Sequence, residues 1–272
     1  MKLNYIEKVK EYVEEKDYKW LSICLVGSQN YNAHIENDTY SSDEDYVVLV
    51  LPTFMDLVSR KDYCVEEIHL DFGHILITDV RLYTKNLFKC NPHVLEVVSC
   101  EEDHYLLNKK IPDSLAIFSY LRKNVDSIIN YNIEKFINSA AGMANHKKSL
   151  IKKNRKDNGK SLQHILRMQL LLEDVVENKV SFKVALKSRE HELQKSYKQN
   201  PPKLKEALDL ANIYDDNIMK IKEDALSLAD FPDKEKALAF EKDVLESIHE
   251  LVAEYIEKQL ISEVLGRAKI QI

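Results

Sequence analysis

Glycine and proline are scarce, with 5 and 6 residues in a chain of 272. So few breakers favour long helices with few sharp turns. Cysteine is equally sparse. Cys24, Cys64, Cys90 and Cys100 show no CxxC spacing and lie mostly in apolar surroundings, which argues against a disulfide framework and predicts reduced core thiols. No apolar run reaches membrane-spanning length, and the charged stretch Met1 to Trp20 contains no signal-like segment. A soluble, cytoplasmic protein without a membrane partner is expected. Nor is there a large excess of one charge. The 39 Lys plus Arg stand against 45 Asp plus Glu, a formal charge of -6, so any polyanion must be met by a local patch. Internal repeats and low-complexity linkers are missing too, so the parts of the chain should pack against each other around a cleft.

What is present divides the chain in two and predicts an α+β protein. Residues 1–112 mix periods. Ile6, Val9 and Val13 have helical spacing, Trp20 to Val26 reads as a strand ending at Gly27, and Tyr46 to Leu51 as a strand stopped by Pro52. Cys64 to Leu70 and His74 to Tyr83 read as a hairpin around Asp71-Phe72-Gly73, giving a small mixed sheet. Residues 113–272 read as helical, over 113–144, 159–178, 203–228 and 233–265. Pro201-Pro202 and Phe231-Pro232 serve as boundaries, and Gly266 as the final stop. The last helix carries a broad apolar stripe and should pack within the fold or against a second subunit, which leaves a homo-oligomer open.

Three acids stand out. Asp43 and Asp45 are two apart at the mouth of a strand, so alternation puts both carboxylates on one face and Glu44 on the other. Such a pair is either solvated surface or a repelling pair bridged by a hard cation such as Mg²⁺. Asp79 lies inside an apolar run, where a charge needs a reason. Pairing with Arg81 is one reading and a third metal ligand is the other. Gly27-Ser28 closes the first strand at a turn whose N–H groups and hydroxyl could hold phosphate oxygens.

Taken in order, these residues resemble the motif of the DNA-polymerase-β-like nucleotidyltransferase superfamily: Gly27-Ser28, then Ser42-Asp43-Glu44-Asp45, then Asp79. A closer similarity is to a group of bacterial and phage nucleotidyltransferases. It rests on Tyr31, on Asp79-Val80-Arg81 and on Leu87-Phe88-Lys89-Cys90-Asn91-Pro92-His93-Val94-Leu95-Glu96, and covers about residues 20 to 175. Two positions depart from that group. Asn32 replaces a common Gly, though Asn tolerates left-handed backbone, and Tyr46-Val47-Val48 lacks the usual basic residue after Asp45.

The resemblance implies a palm-like catalytic domain, 1–112, followed by a helical domain, 113–272. It implies an enzyme that transfers a nucleoside monophosphate from an NTP such as ATP to an acceptor hydroxyl, on an RNA end, a protein side chain or a small molecule. Asp43, Asp45 and Asp79 would be catalytic and bind Mg²⁺ or Mn²⁺, Gly27 and Ser28 would hold the outer phosphates, and Tyr31 and Arg81 would touch substrate. A non-catalytic nucleotide- or nucleic-acid-binding module is the alternative.

A second cluster lies further on. Lys160, His164 and Arg167 share one helix face, roughly opposite Leu162, Ile165, Leu166, Leu172 and Val176. They are either a solvated face or, turned toward the cleft, nucleotide-binding residues, and the related proteins also carry Lys, His and Arg in this helix. Upstream, His146-Lys147-Lys148 and Lys152 to Lys156 form the most basic stretch, either a solvated turn or a grip on RNA. His69, His93 and His104 lack metal-ligand spacing and receive no role.

Overall fold

A computed structural model describes residues 5–37, 40–59, 63–111, 113–153, 157–187, 189–228 and 233–270. Phe231-Pro232, the 154–156 part of the basic stretch and the termini lie outside them. The order begins α1 (Ile6–Glu15), β1 (Trp20–Val26), a 3₁₀ turn at Gly27–Gln29, β2 (Glu36–Asn37), β3 (Tyr40–Ser41), β4 (Asp45–Val50) and α2 (Phe54–Val58). It continues with β5 (Val65–Leu70), β6 (Gly73–Asp79), α3 (Val80–Leu87), α4 (Pro92–Ser99) and β7 (Tyr105–Leu107). Helices follow: α5 (Ser114–Tyr131), α6 (Ile133–Lys152), α7 (Asn158–Leu172, running into a π turn at Glu173–Glu177), α8 (Phe182–Ala185), α9 (His191–Gln199), α10 (Leu204–Leu228) and α11 (Lys234–Ile270).

The fold is α+β. Five strands form one mixed sheet in the order β5-β6-β4-β1-β7, with β4 and β6 parallel and the other neighbours antiparallel. Its two faces follow from strand alternation. Ile23, Leu25, Tyr46, Val48, Ile75 and Ile77 pack against Ile6, Val9 and Val13 of α1. Cys24, Val47 and Leu49 face the helices, in an apolar core that continues without a break to Val252 and Ile256 of α11. At about 25 cal/mol per Å² of apolar surface, this shared burial is what holds sheet and helices together. All four thiols are free, and burial pushes the Cys24 thiol well up. No helix among the described residues is long and apolar enough to cross a membrane.

Several elements differ from the periodicity reading, each for a local reason. The strand expected to run to Tyr83 stops at Asp79, because the Asp79 side chain accepts from the Arg81 amide and starts α3. Asn91 and Pro92 start α4 in the same way, with an N-cap side chain and proline at a first-turn position. The helix expected over 113–144 is two helices, broken at the buried Asn132, which has φ -126° and ψ 33°. Helix α11 runs through Gly266 rather than ending before it.

Candidate functional site

The first wall is built by strand register. β1 ends at Val26, paired with Asp45 of β4, so the turn after β1 stands beside the acids. Gly27 takes φ +78° there, and a Cβ would stand 3.4 Å from Asp45 Oδ2. The left-handed backbone is what favours glycine there. The loop then closes through the Ala33 amide to the Ser28 carbonyl, 3.0 Å, and Asn32 takes φ 59°, a left-handed backbone that Asn tolerates. Asp43 is exposed and Asp45 half-buried, while Glu44 turns the other way, is buried and accepts from the Tyr46 hydroxyl. Gly73 supports the segment from behind: a Cβ there would meet the Glu44 carbonyl oxygen at 2.1 Å. Because Tyr46 pairs with Ile75, His74 falls next to Asp45, and its Nδ1 lies 2.7 Å from Asp45 Oδ1.

The second wall comes from α4, α7 and α9. Together the walls enclose a cavity of about 400 Å³ that collects Gly27, Ser28, Asp43 and Asp45 on one side and Lys160, His164 and Lys198 on the other. Tyr31 and Glu96 also line it. Asp157 aims α7 by accepting from the amides of Gly159 and Lys160. His164 is mostly buried with its Nδ1 unpartnered, and desolvation, reinforced by Arg167 and neighbouring cations, holds its pKa well below the usual range. The imidazole is therefore neutral at pH 7.

Four sequence expectations need correction. Asp79 is not with the other acids. It sits five residues beyond His74 on β6, about 17 Å at 3.3 Å per residue, pairs with Val50 in the register, and is held by Arg81 through Nε at 3.0 Å and Nη2. Arg81 is thereby occupied, lies over Tyr63 at 5.1 Å, and does not line the cavity. The Gly27 amide is not free for phosphate, because it donates to Glu96 Oε1 at 2.6 Å. Arg167 is buried behind the cavity surface, stacked 3.9 Å over Tyr31 and 3.6 Å from Glu96 Oε2. The α7 face opposite its leucines is thus packed rather than solvated, and only Lys160 of its three basic residues is exposed.

Sequence reasoning missed Glu96, His74 and Lys198, and it gave no role to His93, which lines the cavity edge-on to His164 with ring centroids 6.1 Å apart. Glu96 was visible as the last residue of the Asn-Pro stretch. It is 1 % exposed and ties that helix to the Gly27 turn and to Arg167. Nothing in the local sequence marks His74 or Lys198, since both arrive through register and helix packing.

Among the described residues no group of three His, Cys, Asp or Glu side chains could hold a metal ion. Asp43 and Asp45 are not a closed cage. Two carboxylates and a hydroxyl beside open volume still fit Mg²⁺, which is bound by one or two carboxylates and takes its remaining ligands from water and phosphate.

No family model matches the chain, and no curated protein matches it. Among solved structures, a nucleotidyltransferase-like protein from Exiguobacterium sibiricum 255-15 aligns over 94% of this chain and 91% of its own, at 14% identity. The TM-score is 0.28, and a superposition that loose carries no argument about the site.

Proposed function

We propose that the cavity binds an NTP with Mg²⁺, or Mn²⁺ in its place, and transfers its nucleoside monophosphate to an acceptor hydroxyl. The observation that carries this reading is one cavity holding Asp43 and Asp45 beside the turn made by Gly27 and Ser28, opposite Lys160 and Lys198. Carboxylates alone repel a triphosphate, and lysines alone would need no acids, so the two together suit a metal-bound polyphosphate.

Asp43 and Asp45 would hold the ion, which when bound neutralises charge on the phosphates and on the leaving group. The acceptor oxygen forms the new bond to the α-phosphorus, the bond to pyrophosphate breaks, and the hydroxyl proton passes to solvent water. Lys160 stabilises the outer phosphates as their charge grows. The Ser28 hydroxyl is placed to orient them. Tyr31 and Glu96 fix Arg167, whose charge acts on the cavity from behind its wall. Asp79 has no part in this scheme.

The acceptor class, whether RNA end, protein side chain or small molecule, is read by incubating the protein with each labelled NTP, Mg²⁺ and a cell extract. Label should appear in one fraction and be lost with EDTA. A nucleotide-binding module without transfer is the second reading, favoured by the displacement of Asp79. Tight NTP binding with no label transferred to any fraction would establish it.

A further inference from the structure

Lys198 stands in the last turn of α9, a helix to which the sequence assigned nothing. A close contact puts it there. The Tyr197 carbonyl rests against Gly159 so tightly that a Cβ on Gly159 would stand 1.9 Å from the oxygen, and this seats the end of α9 on the first turn of α7, beside Lys160. The Lys198 side chain lines the cavity, and its Nζ donates to the Ala33 carbonyl at 3.1 Å, in the loop that closes back on Ser28. Around it stand Lys160 and Arg167 of α7, Asp157 capping that helix, Asp43 across the cavity, and His34 with Lys195 nearby. Asp157 also accepts from two backbone amides, and among the described residues Lys198 has no carboxylate of its own, its hydrogen bond going to a backbone carbonyl. Two further groups point to a missing ligand: His164 Nδ1, in a residue lining the same cavity, and the guanidinium nitrogens of Arg167 behind its wall are buried without a hydrogen bond to the described residues. Buried polar atoms are ordinarily satisfied.

We propose that Lys198 is a phosphate-binding residue of this cavity, acting with Lys160 on the pyrophosphate portion of the nucleotide. This rests on the nucleotide reading of the cavity but needs neither metal nor transfer. Burial, with Lys160 and Arg167 adding to it, pushes the Lys198 pKa down to about 8. An anion placed against the ammonium favours the charged form and raises that pKa again. Binding between about pH 8 and the ordinary lysine value, roughly 10.4, therefore adds a proton at Lys198, and binding well below pH 8 adds none there.

The test is calorimetry of inorganic pyrophosphate, in EDTA at low salt, in two buffers of different ionisation enthalpy at pH 6.5 and 8.5. The intact protein should bind at both pH values, and at 8.5, though not at 6.5, it should take up more protons on binding than either Lys198 variant, since the titration of pyrophosphate and of His164 is common to all three. Lys198→Met should bind at least fivefold more weakly and lose that excess. Lys198→Arg, charged at every pH, should keep affinity without the excess, and it preserves the test should the Met variant fail to fold. Unchanged affinity in Lys198→Met, proton uptake at pH 8.5 equal in the intact protein and either variant, or no binding by the intact protein would overturn the assignment. A working label-transfer assay alongside any of these would leave the proposed function standing.

Discussion

Asp43 lies two residues before β4 and Asp79 is the last residue of β6, and the fold gives them opposite surroundings. Asp43 is exposed at the cavity mouth with no need of a structural partner, whereas Asp79 is 2 % exposed and engaged by Arg81. Substituting Asn should therefore separate two effects. Asp43→Asn should cut label transfer by about 100-fold, the scale of losing one electrostatic contact to the transition state, with no change in melting temperature. Asp79→Asn should leave transfer within about twofold and cost about 2 kcal/mol in denaturant unfolding, because Asn still caps α3 but no longer balances a largely desolvated Arg81. Transfer abolished in Asp79→Asn would restore it to the mechanism. The Asp43-Asp45 pair was legible because strand alternation is local. The fate of Asp79 was not, since an apolar run of nine residues gives no hint that its sixth member ends the strand and starts a helix.

Helix α7 shows the same limit at the scale of elements. Its Lys, His and Arg spacing placed them on one face, as the structure has it, but amphipathicity could not say whether that face met water, a cavity or another helix. The answer came from α9, packed on it through Gly159. Gly159→Ala should therefore push the two helices apart, costing about 2 kcal/mol as overpacking does, and weaken pyrophosphate binding by moving Lys198. Parallel measurements of stability and affinity decide this, and an Ala variant with both unchanged would contradict the packing argument. The long helices were readable because their stripes span many turns. The break at Asn132 and the short helices α3 and α4 were not: α3 and α4 each start on one capping side chain, and the break turns on one residue, Asn132, whose Nδ2 donates back to the Ile128 carbonyl.

At the scale of the molecule, the net charge of -6 hides a division of sign across one cavity. Asp45 comes from the sheet, Asp43 from the loop before it and the lysines from the helices, brought together by a core that runs through both. That division makes the central claim electrostatic: the acids obstruct a triphosphate until a metal ion is placed between them, and the lysines hold the phosphates that the ion carries in. Calorimetry with a non-hydrolysable NTP analogue, in Mg²⁺ and in EDTA, on the intact protein and on the Asp43→Asn, Asp45→Asn double variant, tests it most directly. The intact protein should bind at least tenfold more tightly with Mg²⁺, and the double variant should lose that gain. Equal affinity in Mg²⁺ and EDTA, or a metal-dependent gain that survives in the double variant, would contradict metal-bridged binding at this site.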